Sequence, residues 1–279
     1  MTSVPRELPR LYSDGRLIPF VGAGVSMSVQ WAADGQTKRG PSWREMVSQA
    51  AKMLGFEEPQ LLRSRGTDLQ ILEYFKLLNE GIAPLTNWMF AEMRAPDDAI
   101  RASLVLTALA KLSACSTYYT TNYDDFIERA LALHGRHALA IATEGHMGRT
   151  GNGAPEVVKF HGDFNHPSHM VVTESDYERR LAFKTAMDFK LRSDVLGRAV
   201  LFLGYSFRDA NVAYLFSLVN EYFHSLTINP SGRRAYIVVA DPSDFETRLF
   251  RARNIEVLGV DGSRLAEETA EILDTIRTS

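Results

Sequence analysis

Leu17-Ile18-Pro19-Phe20-Val21-Gly22-Ala23-Gly24-Val25-Ser26 decides the fold. Five apolar residues ended by glycines read as a buried strand running into a tight turn. Glycines at such a turn let the backbone approach a pyrophosphate, and free N–H groups there can bind its oxygens. The third glycine of a dinucleotide fingerprint is missing, because Met27 stands in its place. The residues that follow read as a loop running to Gly40 rather than a helix.

Further short apolar runs repeat the pattern: Ser116–Thr121, Ala138–Thr143, Val157–Phe160, Met170–Val172, Ala199–Leu203, Tyr236–Ala240 and Ile255–Leu258. Helical periodicity marks Asp124–His134, Asp209–His224, Ser243–Arg253 and Ser263–Thr278. Strand and helix in alternation predict an α/β fold, a parallel sheet covered by helices on both faces. From Trp43 to Leu112 no strand is evident, and Leu69–Asn79, Ala83–Arg94 and Asp97–Leu112 carry helical spacing. Residues 43–112 therefore read as an α-helical insertion, with 1–42 and 113–279 forming the sheet domain.

The balance of 31 Lys and Arg against 34 Asp and Glu gives a net charge of −3, so a broad nucleic-acid-binding surface is not expected. One cysteine, Cys115, can form neither an internal disulfide nor a thiolate zinc cluster, and a lone thiol fits a reducing cytoplasm. No 18-residue apolar run is present, so neither a membrane span nor export is expected.

Four motifs sit at strand ends, where ligands of open α/β sheets bind. They are Gly22-Ala23-Gly24-Val25-Ser26, Thr120-Thr121-Asn122-Tyr123-Asp124-Asp125, Phe160-His161-Gly162-Asp163, and Gly204-Tyr205-Ser206 with Asp209 and Asn211. Each has a plain structural reading as well: a strand-exit turn, a helix cap, a packed histidine. His166 and His169 have no third ligand at a matching spacing, so no metal is expected.

Taken in order, the four motifs resemble the sirtuin family from about Leu17 to Leu258. That resemblance implies a Rossmann-like sheet with an inserted module and NAD+ as ligand. It places Gly22, Ala23, Gly24 and Ser26 in the phosphate loop and Asn122 and Asp124 at the nicotinamide ribose. His161 takes the general base position, and Gly204 and Ser206 lie near the adenosine ribose, with Asp209 and Asn211 beside them. Departures are informative. The family's Gly-Ile-Pro-Asp-Phe-Arg becomes Gly40-Pro41-Ser42-Trp43-Arg44, Thr121 replaces a glutamine, and the four zinc cysteines are absent. Gly204 to Asn211, with Val171-Val172-Thr173-Glu174-Ser175-Asp176-Tyr177, looks like the sirtuin-like proteins of bacterial antiphage defence.

That subgroup implies hydrolysis of NAD+ to nicotinamide and ADP-ribose, with Asn122 and His161 as catalytic residues, NAD+ as substrate and no metal. The alternatives are a non-catalytic NAD or ADP-ribose sensor and an NAD-dependent protein deacylase. An unrestrained NAD hydrolase would drain its own cell, so control by assembly is expected. Partners are a further copy of the chain or, by resemblance alone, a hexameric DNA-translocating ATPase of the HerA kind. Helices 43–112 and Trp88-Met89-Phe90 are the expected contact surface, against ordinary core packing.

Overall fold

The computed structural model describes residues 4–33, 35–148, 153–181, 184–205 and 235–279. Its strands are β1 (Leu17–Val21), a hairpin of β2 (Gln30–Ala33) and β3 (Gln36–Arg39), then β4 (Thr117–Thr120), β5 (Leu139–Ile141), β6 (Glu156–Lys159), β7 (Ala199–Leu203), β8 (Ala235–Ala240) and β9 (Ile255–Val260). Seven of them form one parallel sheet in the order β5-β6-β4-β1-β7-β8-β9. The chain starts in the middle, builds towards β5, then crosses back to the other side of β1 at β7. That reversal opens a crevice at the carboxyl end of β1, between β4 and β7.

Every residue of β1 is buried, as its unbroken apolar run requires for a strand covered on both faces. Pro19 has no N–H, and the ladder to β4 registers only Phe20↔Tyr119 and Val21↔Thr120, beyond the proline. The ladder to β7 runs the full length from Leu17↔Ala199 to Val21↔Leu203.

The helices are α1 (Glu7–Ser13), α2 (Ala23–Met27), α3 (Trp43–Met53), α4 (Pro59–Arg63), α5 (Asp68–Leu78), α6 (Ala83–Glu92), α7 (Asp97–Ala102), α8 (Leu104–Ala110), α9 (Phe126–Leu133), α10 (Glu174–Leu181), α11 (Ala186–Leu196), α12 (Asp244–Ala252) and α13 (Leu265–Thr278). One face of the sheet packs Leu17, Val21, Tyr118 and Leu201 against α1, α8, α9 and α13. On the other, Phe20 stacks on Tyr119 and Phe202 with ring centroids 5.5 and 5.3 Å away, beneath Met187 and Leu191 of α11 and Phe250 of α12. A third core joins α3, α5 and α6 through Met46, Val47, Leu72, Phe75, Leu85 and Met89. It seats on Tyr123, Met170 and Val172, so this helical module stands over the carboxyl ends of β4 and β6.

Several expectations change. The segment after Gly22 is the short helix α2 followed by the β2–β3 hairpin, not a loop; Trp31 of that hairpin packs against the sheet core. Met170–Val172 is not a strand, because Met170 and Val172 turn into the helical module while the Val171 N–H donates to the His161 carbonyl (2.9 Å). The helix expected over Asp97–Leu112 breaks at Ser103, whose Oγ caps α8 by accepting from the Leu106 N–H (3.3 Å). Residues Ala95–Leu112 pack into the sheet's own core, so the separate helical core ends with α6. The helix expected over Asp209–His224 lies outside the described residues. Among the described residues no helix is long and apolar enough to cross a membrane.

The exits of β1 and β7 meet so closely that glycine is required. Gly204 has φ +71°, and a Cβ there would lie 2.5 Å from the Val25 nitrogen. Gly135 has φ +75° with open space around it. Gly135→Ala should therefore cost only the left-handed backbone penalty of about 1 kcal/mol. Gly204→Ala should cost at least about 3 kcal/mol, since backbone must also move. Chemical denaturation of the two variants checks this, and equal losses would contradict the packing described.

Candidate active site

At the end of β1 three backbone donors are spent within the protein. Gly22 N–H donates to the Leu203 carbonyl (2.8 Å), Gly24 N–H to the Gly204 carbonyl (2.9 Å) and Val25 N–H to the Gly22 carbonyl (3.1 Å). These three amides therefore do not stand open to a phosphate. The glycines instead allow two strand exits to lie backbone on backbone, a Cβ on Gly24 being 2.9 Å from the Gly204 Cα. Ala23 and Gly24 remain exposed at the mouth of the crevice.

The end of β4 supplies the polar centre. Residues 122–124 alternate in direction. Tyr123 points up into the helical module and its OH donates to the Val171 carbonyl (2.7 Å), while Asn122 and Asp124 turn towards β1. Asn122 Nδ2 donates to the Gly22 carbonyl (2.9 Å) and to Ser26 Oγ (2.8 Å). A carbonyl can only accept, so this contact fixes which end of the amide is nitrogen. Both amide protons face inward, and Asn122 Oδ1 has no partner among the described residues.

Ser26 Oγ passes the chain on by donating to Asp124 Oδ2 (2.7 Å), and Asp124 Oδ1 accepts the Phe126 N–H (3.1 Å) at the start of α9. Asp124 thus accepts one hydrogen bond on each oxygen and braces Ser26 and the start of α9. Burial raises its pKa, partly offset by the Lys159 ammonium. Lys159 is 1 % exposed at the end of β6. Its Nζ donates to the Asp124 carbonyl and pairs with Glu128 Oε1 (3.3 Å), which ties β4, β6 and α9 together.

β6 brings the histidine. Thr120 pairs with Lys159 in parallel register, and His161 follows Lys159 by two residues as Asn122 follows Thr120. His161 is 4 % exposed, with its ring edge-on to Tyr177 of α10 at 5.4 Å. Burial and the Arg180 guanidinium hold its pKa down to about 3, so the imidazole is a neutral acceptor across the physiological range.

Gly204 closes the crevice from the β7 side. Next to it Tyr205 lays its ring against Gly22, its OH 3.1 Å from the Val21 carbonyl and 3.0 Å from Thr121 Oγ1. Ser206, Asp209 and Asn211 lie outside the described residues. The structure therefore gathers Gly22, Ala23, Gly24, Ser26, Asn122, Asp124, His161 and Gly204 at one end of the sheet. Lys159 and Arg180 escaped the sequence reading as site residues, while Tyr205 and Tyr177 entered it only inside quoted motifs. Only Lys159 left a signal, a lysine inside the apolar run Val157–Phe160.

A model of the SIR2-like domain matches residues 116–258, just over half of the chain. The chain belongs to the SIR2-like family. The SIR2-like match spans β4 to β9, taking in Asn122, His161 and Gly204 and starting beyond the glycine turn. The chain is 30% identical over 206 residues to "NAD(+) hydrolase ThsA" of Acinetobacter baumannii (strain 532279), covering 73% of this chain and 39% of that protein. It is 29% identical over 260 residues to "NAD(+) hydrolase ThsA" of Bacillus cereus (strain MSX-D12), covering 90% and 49%. "Defense-associated sirtuin 2" of Bacillus subtilis is 22% identical over 249 residues, covering 86% and 22%. The chain spans half or less of the length of these relatives.

A histidine buried neutral makes folding sensitive to acid. Its folded pKa of about 3 lies below the unfolded value near 6.5, so the unfolded state binds more protons between them and stability falls as pH drops through that window. Melting temperatures at pH 7 and pH 5 should differ less in His161→Gln than in the unsubstituted protein. An identical pH dependence would show that the imidazole is not held neutral.

Proposed function

We propose that the chain cleaves NAD+ to nicotinamide and ADP-ribose. One observation carries the reading: Asn122 and His161 follow the ends of two adjacent, registered strands, the first with a free acceptor oxygen, the second a neutral imidazole. The exposed Ala23-Gly24 turn lies at the carboxyl edge of the sheet, where open α/β sheets take a dinucleotide. The relatives named as NAD(+) hydrolases support the same substrate.

The chemistry follows from this geometry. The bond between C1′ of the ribose and the nicotinamide nitrogen breaks, and its electron pair neutralises the pyridinium, which leaves. The oxocarbenium-like centre takes a water oxygen. Asn122 Oδ1 accepts from a ribose hydroxyl or from that water and orients it, while His161 takes the water's proton. Asp124 holds Ser26, and Ser26 holds Asn122, so the carboxylate acts at one remove.

A deacylase reading is disfavoured by the thiol inventory. The one cysteine, Cys115, is buried, and burial pushes its thiol up to about 12. We infer a cytoplasmic enzyme restrained by assembly, with a further copy of the chain or a HerA-like ATPase as partner. The helical module offers a surface: Leu77, Leu78 and Phe90 are exposed, while Met89 belongs to the core.

Asn122→Ala and His161→Ala should each lower NAD+ cleavage roughly 100-fold or more with folding retained. Chromatographic separation of nicotinamide and ADP-ribose reads the rate, and turnover at the unsubstituted rate in either variant would refute its role. A strong chelator should leave turnover unchanged. Loss of activity restored by zinc or magnesium would point to a metal step instead.

A further inference from the structure

Arg179 and Arg180 look alike in sequence but differ in the structure. Arg179 is exposed and pairs with Asp176, whereas the Arg180 side chain is 11% exposed and turns towards β6. Arg180 Nη2 donates to the Phe160 carbonyl, and the guanidinium carbon lies 4.2 Å from the centre of the Phe160 ring. Nη1 donates to Thr185 Oγ1 (3.0 Å) and lies 3.5 Å from Asp188 Oδ1. Thr185 and Asp188 are the two members of the capping box that starts α11, and Asp188 is fully buried. One cation therefore ties α10 and the start of α11 to the last peptide before His161. The next peptide is held from the other side, where the His161 carbonyl accepts from the Val171 N–H (2.9 Å).

We propose that Arg180 is the positioning residue for His161, pinning the Phe160–His161 peptide so that the imidazole meets the substrate beside Asn122. This rests on the reading of His161 as the proton acceptor. The planar fork matters, since one guanidinium reaches a carbonyl, a hydroxyl and a carboxylate while lying on an aromatic ring, which an ammonium cannot do. The buried cation also opposes protonation of its neighbour, so its contribution to the base is placement and not basicity. Among the described residues, the titratable or charged groups about the imidazole include Arg180 and Tyr177 on α10, Asp188 of α11 behind the guanidinium, and Asp163 on the histidine's own segment.

The clamp also reaches the helical module. Lys76 of α5 contacts Asp176 Oδ1 (3.2 Å) and Ser175 Oγ (3.1 Å), and Ser175 N–H donates to Glu73 Oε2 (2.9 Å). The Val171–Tyr177 motif is thus the seat on which α10 is fixed before it delivers Tyr177 and Arg180 to the histidine.

The test uses the full chain with isotope-labelled histidine. Arg180→Met alone strands the buried Asp188 carboxylate, so it is combined with Asp188→Asn, and Arg180→Lys is the second variant. In the unsubstituted protein the His161 imidazole should not titrate by NMR between about pH 5 and 8. In the charge-free pair its midpoint should rise towards that window, and kcat for NAD+ cleavage should fall about tenfold or more with KM changed less. Arg180→Lys should leave the imidazole untitrated yet lose several-fold in kcat. A folded charge-free pair with a silent His161 and unchanged kcat would overturn the proposal, and so would unchanged kcat in Arg180→Lys if the pair fails to fold. If the midpoint moves as expected while His161→Ala still cleaves NAD+ at the full rate, the positioning stands and the base assignment falls.

Discussion

Asn122 gives both protons of its side-chain amide to the exit of β1, one to the Gly22 carbonyl and one to Ser26, across about a hundred residues of chain. These two hydrogen bonds join the central strand to its neighbour at the point where the sheet reverses direction. The backbone contact of Gly24 with Gly204 completes the join on the other side. Three strand exits are thus brought within hydrogen-bond reach of one another, and the buried polar groups are satisfied mostly by each other. Such a network specifies a single arrangement, because removing one member strands its partners in low dielectric. Within it the Asn122 oxygen is left over, and that surplus acceptor is what the site can offer a ligand.

Charge is handled in two layers beneath and beside this network. Lys159 neutralises the region around Asp124 and Glu128, where burial raises both carboxyl pKa values. Arg180 occupies the far side of β6 against Phe160, with Asp188 behind it. His161 emerges between them carrying no charge. A buried neutral imidazole can receive a proton without first losing one, which suits a reaction whose water must be deprotonated as the leaving group departs.

The sheet was legible because its strands are buried on both faces and so appear as unbroken apolar runs between turns. Met170–Val172 has the same appearance for another reason, its side chains being claimed by the helical module rather than by the sheet. Helix α10 was missed because Glu174 to Arg180 is almost wholly polar, and its position is set by Lys76, Glu73 and Thr173 rather than by an apolar stripe. Asn122 and His161 could be picked out individually, but their placement after neighbouring strands comes from strand order, with β6 beside β4 and β5 pushed to the edge. The buried roles of Lys159 and Arg180 had no local signature, since whether a charge is buried depends on partners far away in the chain. The glycine turn was found, but the use of its Gly22 and Gly24 amides by the neighbouring strand exit had no local signature.

The most direct measurement is a crystal structure of the full chain with an NAD+ analogue whose ribose–nicotinamide bond resists hydrolysis. The account predicts the analogue across the exits of β1, β4 and β7, its nicotinamide ribose or an ordered water donating to Asn122 Oδ1, with Nδ2 still on the Gly22 carbonyl and the neutral His161 ring facing the reacting carbon. An analogue bound elsewhere, or one that pulls the Asn122 amide off Gly22, would contradict it.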